Sequence, residues 1–147
     1  MKNRDHLRRL PRENYQGDAV VHWTLTIAER RQGWLTAPFY YRFRELLSHS
    51  CFRYGLVCPI FCLMPDHLHL VWMGICSGSD QLNAMKHLRT HCNESLERIE
   101  FELQDQAYDH VFKEEERRGE SLQNVCEYIA RNPERARIVA LDAYASY

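Results

Sequence analysis

The chain has 147 residues, an ordinary globular share of hydrophobic residues at 45%, a net charge of −1 and six cysteines. This length suits a single domain that buries about two thirds of its unfolded surface, and no apolar run approaches the roughly 20 residues of a membrane helix. The cysteines sit in apolar runs (Cys51, Cys58, Cys62, Cys92, Cys126) or near a loop (Cys76) without a compact framework, so they are expected to be reduced and mostly buried, in a cytoplasmic protein.

The first segment, "MKNRDHLRRLPRENYQGD", is charged and has no apolar core. It is not expected to be a secretion signal, and residues 1–18 are read as a polar arm before a single domain over 19–147. "AVVHWTLTI", 19–27, alternates as a strand, with Val21, Trp23, Leu25 and Ile27 on one side and Val20, His22, Thr24 and Thr26 on the other. "ERRQGWLTA" reads as a loop, and Pro38 opens a helix to Tyr54 whose apolar residues recur at helical spacing. "LVCPIFCLM" reads as a second strand, where Pro59 marks an edge or a bulge.

A turn at Met64-Pro65-Asp66 leads to a third strand over 67–74. A helix over 80–99 follows, with Leu82, Met85, Leu88, Cys92, Leu96 and Ile99 as its stripe, then a fourth strand near 108–113. Ser121 opens a last helix, with Leu122, Val125, Cys126 and Ile129 inward, which stops near Asn132-Pro133 because a residue preceding proline avoids helical dihedrals. The first six elements spell the α+β, ferredoxin-like βαββαβ plan, with both packing helices on one face of an antiparallel sheet. The seventh element is an additional C-terminal helix.

Strand side chains alternate with period two. His67 and His69 therefore share a face, while Leu68, Leu70 and Trp72 take the face under the helices. Two imidazoles at this spacing suit one metal ion and equally suit a structural pair. The C-terminal helix has no place in the six-element plan and is available to cover the histidine face. It carries Asn124, Tyr128 and Asn132 at intervals of four, with Arg131 and Arg135 nearby. Asn132 suits either a third ligand or a cap for a turn that begins at Pro133.

In this order and spacing, "MPDHLHLVW" followed by "EYIARNPERARIV" resembles the single-tyrosine HUH transposase family, and within it the REP-associated tyrosine transposases. "VHWTLTIAERRQGWL" and "YDHVFKEEE" add to the resemblance, which runs from Val20 to about Val139. The resemblance implies cleavage and rejoining of single-stranded DNA, usually beside a hairpin, through a 5′-phosphotyrosine. It implies Tyr128 as the nucleophile, with His67, His69 and Asn132 as ligands of Mg²⁺ or Mn²⁺. A phenol with its ordinary pKa of about 10 is only about one part in a thousand ionised at neutral pH, which is why such chemistry needs either deprotonation of the tyrosine or a more electrophilic phosphate, which a metal ion can supply. Arg30, Arg31, Arg131 and Arg135 flank the expected site and are candidate DNA contacts. A monomer is expected rather than a homodimer.

Two other classes fit some of these residues. A non-catalytic nucleic-acid-binding module would stack bases on aromatics such as Tyr108. A zinc-binding protein would use His87 and His91, four apart on the second helix, although the segment "HLRTH" lacks the glutamate of the metalloprotease motif.

Overall fold

A computed structural model of the chain describes residues 8–136. The expected elements are present: β1 (Val20–Thr26), α1 (Ala37–Tyr54), β2 (Leu56–Leu63), β3 (His67–Gly74), α2 (Gln81–Glu97), β4 (Tyr108–Val111) and α4 (Ser121–Ala130). Two short helices were not expected, α3 (Glu114–Arg118) and α5 (Asn132–Arg135). The first seven residues of the expected arm and positions 137–147 of the expected domain lie outside the described residues. Among the described residues no helix is long and apolar enough to cross a membrane.

The sheet is antiparallel throughout, in the order β2-β3-β1-β4. This places β1 and β3 at the centre, as the βαββαβ plan requires. The β1–β3 register sets Trp23 opposite Leu70, Thr24 opposite His69 and Thr26 opposite His67. β2 is an edge strand whose register shifts between Val57 and Ile60, where Pro59 cannot donate to a ladder.

Local chemistry fixes the helix ends. The Thr36 hydroxyl accepts from the Phe39 N–H (3.2 Å) and Pro38 fills the first turn of α1. Gly55 closes that helix at φ +66°, a left-handed conformation, with its carbonyl accepting from the Ser79 hydroxyl (2.6 Å). A β-carbon at Gly55 would lie 2.8 Å from the Cys76 sulfur. Asp80 caps α2 by accepting from the Asn83 N–H (3.1 Å).

The two faces of the sheet are packed differently. Under α1 and α2, Val21, Trp23, Leu25, Leu68, Leu70 and Trp72 join the main core with Phe43, Leu88 and Leu96. On the opposite face, Val20, Val71, Phe112 and Ile129 form a smaller cluster with Leu122, Val125 and Cys126. α4 therefore lies on the second face, where its apolar stripe meets the apolar end of that face.

Residues 8–18, read as a polar arm, pack onto the domain. Tyr15 is wholly buried, its ring 5.8 Å from that of Trp23, and its hydroxyl donates to Asp109 (2.6 Å). Arg9 pairs with the same carboxylate and lies over the Trp23 ring. The six cysteines are all free thiols, but only Cys92 is fully buried and Cys76 is exposed; the expectation of general burial is corrected to that extent.

Candidate functional site

The second face of the central strands carries a connected row of side chains. His67 Nδ1 lies 2.6 Å from Asp66 Oδ1, and His67 Nε2 lies 3.1 Å from His69 Nε2. His69 Nδ1 is in turn 3.0 Å from His22 Nε2 and 3.1 Å from Thr24 Oγ1. The cross-strand register makes this possible, because it sets Thr24 directly opposite His69 and His22 one step further on.

These partners determine which nitrogens carry protons. Asp66 accepts from His67 Nδ1, which leaves the Nε2 lone pair available. His69 reaches the same state when its Nδ1–H donates to His22 or Thr24. Both Nε2 atoms then face each other as acceptors, with their opposite nitrogens anchored, as ligating histidines require. Burial pushes His69 down to about 3, with His22, His67 and Arg135 adding repulsion. Burial likewise pushes His22 down to about 4, with His110 adding. At neutral pH His22 and His69 are therefore uncharged, and no proton competes for the His69 lone pair.

The geometry fits one ion between the two rings. Adjacent ligands of an octahedral ion with bonds of about 2.1 Å stand about 3 Å apart, close to the 3.1 Å between the two Nε2 atoms. Among the described residues no three His, Cys, Asp or Glu side chains form a ready cage, so the remaining ligands would be other oxygens. Asn132 is one candidate. It is buried, its Nδ2 has no hydrogen-bond partner, and among the described residues no hydrogen bond joins it to either imidazole. It also stands off the helix that carries Tyr128: α4 ends at Ala130, Arg131 caps it, and Asn132 begins α5.

Tyr128 stands over this row. Its ring lies edge-on to His69, with centroids 6.2 Å apart at 83°, and it is 48% exposed, so its face of the site is open to a large ligand. Arg135 lies over the ring. The guanidinium carbon is 3.5 Å from the ring centroid, and Nη2 donates to the Tyr128 carbonyl (3.1 Å).

The four candidate arginines divide. Arg30 Nη1 donates to Asp66 Oδ2 (3.2 Å), which joins it to the His67 end of the row. The loop is held there by the Ile27 N–H donating to the Asp66 carbonyl (2.9 Å), and it turns through left-handed dihedrals at Glu29 and Arg30. Arg31 points elsewhere, donating to the Glu100 carbonyl (2.7 Å) and lying over the Phe101 ring. Arg131 pairs with Glu127 (3.3 Å) and Glu134 (3.2 Å). Arg135 lies against Tyr128.

Three members of the row were not among the expected site residues: His22, Thr24 and Asp66. The alternation of β1 placed His22 and Thr24 on the correct face, and Asp66 adjoins His67 in sequence. Their contacts depend on strand register and hairpin geometry, which single-strand periodicity does not contain.

The chain matches no family model and no curated protein; its likenesses are to solved structures. A REP-associated tyrosine transposase bound to a REP hairpin superposes with a TM-score of 0.76 over 97% of this chain and 79% of that chain, at 15% identity. A protein from Deinococcus radiodurans R1 described as a candidate transposase superposes with a TM-score of 0.53 over 86% of this chain and 95% of that chain, also at 15% identity. The fold is thus shared with the REP-associated tyrosine transposase.

Proposed function

We propose that this protein is a transposase-type enzyme that cleaves and rejoins single-stranded DNA at a hairpin, with Tyr128 as the nucleophile. One observation carries the reading: the Nε2 atoms of the His67 and His69 imidazoles face each other at 3.1 Å beside the Tyr128 ring, on the fold described above.

His67, His69 and Asn132 would hold Mg²⁺ or Mn²⁺ through two imidazole nitrogens and an amide oxygen, a neutral set that leaves the ion its charge. When bound, the ion supplies Lewis-acid polarisation of the scissile phosphate. The chain's own residues do the rest. Asp66 and His22 fix the orientation of the two imidazoles. Arg135 restrains the Tyr128 ring, so the hydroxyl is presented rather than searching rotamers. Arg30 and Arg135 supply positive charge at either end of the row for the DNA phosphates.

In the cleavage step the Tyr128 oxygen forms a bond to phosphorus and gives up its proton. The bond from phosphorus to the 3′ oxygen breaks, and that oxygen leaves with a proton as a 3′-hydroxyl. The product is a 5′-phosphotyrosine. One phosphoester replaces another, so attack by a 3′-hydroxyl reverses the step and rejoins strands without an external energy source. A monomer contains all these groups in one chain.

The test is incubation with single-stranded hairpin DNA and Mn²⁺, followed by denaturing electrophoresis. The wild-type protein should form a covalent protein–DNA adduct that Tyr128→Phe, which removes only the hydroxyl, does not form. An adduct of undiminished yield with Tyr128→Phe would exclude Tyr128 as the nucleophile.

A further inference from the structure

The geometry points to a second metal site on the opposite side of the sheet, where His87 and His91 of α2 chelate a first-row dication of the imidazole-preferring class, such as Zn²⁺. The two residues stand one helical turn apart with ring centroids 4.4 Å from each other. Leu88 and Cys92, their neighbours in sequence, belong to the core under α1 and α2. The imidazoles lie on the flank of α2 that meets α1.

Each ring is oriented by an oxygen at Nδ1. His87 Nδ1 is 3.2 Å from the hydroxyl of Ser50, a buried residue of α1. His91 Nδ1 is 3.0 Å from the Glu94 carboxylate. When Nδ1–H donates to those oxygens, both Nε2 atoms keep a lone pair, and neither has a hydrogen-bond partner among the described residues. This repeats, on a helix, the anchoring of the strand pair: one nitrogen held by an oxygen, the other available to an ion.

The surroundings of His87 disfavour its protonated form. His87 is held below its ordinary value by burial, with His91, Arg53 and His49 adding repulsion against an opposing pull from Glu94. The His49 ring is 6.2 Å from that of His87, and Tyr54 is 5.8 Å from it. Two imidazoles with no converging carboxylate suit Zn²⁺, Cu²⁺ or Ni²⁺ and do not suit Mg²⁺, which demands oxygen. Among the described residues no third His, Cys, Asp or Glu completes the set, so the other coordination positions would be left to water. The site does not depend on the reaction proposed for Tyr128, because the sheet separates it from His67 and His69.

Zn²⁺ titration of the full chain by calorimetry tests this, with His91→Ala, His87→Ala, Glu94→Gln and His67→Ala measured beside the wild type. His91→Ala and His87→Ala should each lose one zinc equivalent that His67→Ala retains. Glu94→Gln, which preserves both ligands, should weaken that equivalent about 10-fold or more. Because Glu94 is exposed, this variant keeps the test valid if loss of the His87–Ser50 contact disturbs folding. Mg²⁺ should give no heat at this site. Unchanged zinc stoichiometry and affinity in both histidine variants, or no zinc equivalent in the wild type beyond the one His67→Ala removes, would overturn the proposal.

Discussion

The two faces of one sheet are built from the same strands and obey the same alternation, yet they do different things. The face under α1 and α2 is closed: Trp23, Leu68, Leu70 and Trp72 are fully buried, and dense packing makes every methyl group count. The other face is apolar at one end, where Val20, Val71 and Phe112 seat Ile129 of α4, and polar at the other, where His22, Thr24, His67 and His69 form the row beside Tyr128. The difference shows how a small domain separates stability from chemistry. The closed face supports the fold, so the half-covered face can present groups that a core would otherwise have to satisfy.

Substitutions on adjacent residues of β3 should break the two faces in different ways. Leu68→Ala empties a fully buried position and should cost about 2–5 kcal/mol of stability in a denaturant titration. His67→Ala, one residue away, should cost about 1 kcal/mol while abolishing Mn²⁺ binding at the row. Equal destabilisation by the two would mean that the histidine face is core as well.

His22 sharpens the comparison within the polar face. Its ring touches His69 but not His67, so in the proposed site it would act through His69. His22→Leu keeps the volume and removes the anchor. Mn²⁺ affinity should fall by about 10–100-fold, with the thermal midpoint little changed.

Acid should find the same face. His22 and His69 stay neutral in the folded chain down to about 4 and about 3, whereas in the unfolded chain they take up protons below about 6.5. The unfolded state therefore binds more protons in this window, and stability should fall as pH drops from about 6.5 towards 4. His87, also depressed, adds to the slope. Stability measured in this window should decline less steeply for His22→Leu than for wild type; parallel slopes would show that His22 is not buried in its neutral form.

The smallest effect belongs to the rim. Arg30 is exposed and bonded to Asp66. Arg30→Gln should reduce the dependence of log affinity for single-stranded DNA on log salt by about 0.7, the share of one phosphate contact. Arg31→Gln should change it less, since Arg31 is turned towards Glu100 and Phe101.

Much of this was legible in the sequence, and the reasons are physical. Alternation in 19–27 and 67–74 gave both central strands and the correct face for every histidine on them. Pro38 and Tyr54 bounded α1, whereas the Thr36 cap appears only in the fold. What escaped depends on contacts distant in sequence. Tyr15 reads as one aromatic in a polar segment, and only the fold shows it packed beside Trp23 and bonded to Asp109. The run Glu114–Arg118 is too short to show an apolar period and reads as a charge cluster, yet it is helical, with Glu116 accepting from the Lys113 N–H. The spacing of four between Tyr128 and Asn132 suggested one continuous helix. Asn132, although it precedes Pro133, is itself helical; Pro133 has no N–H to continue the ladder of α4, which ends at Ala130, and Asn132 opens a separate turn.

The claim that the open face forms one site is tested most directly by Mn²⁺ titration followed by side-chain NMR, since the paramagnetic ion broadens resonances close to it. The account predicts that the imidazole signals of His67 and His69, the Tyr128 ring and the Asn132 amide broaden together at the first equivalent, and that His69→Ala abolishes the effect at all the remaining positions. Sharp Tyr128 and Asn132 signals beside broadened His67 and His69 would contradict it, as would broadening that survives His69→Ala.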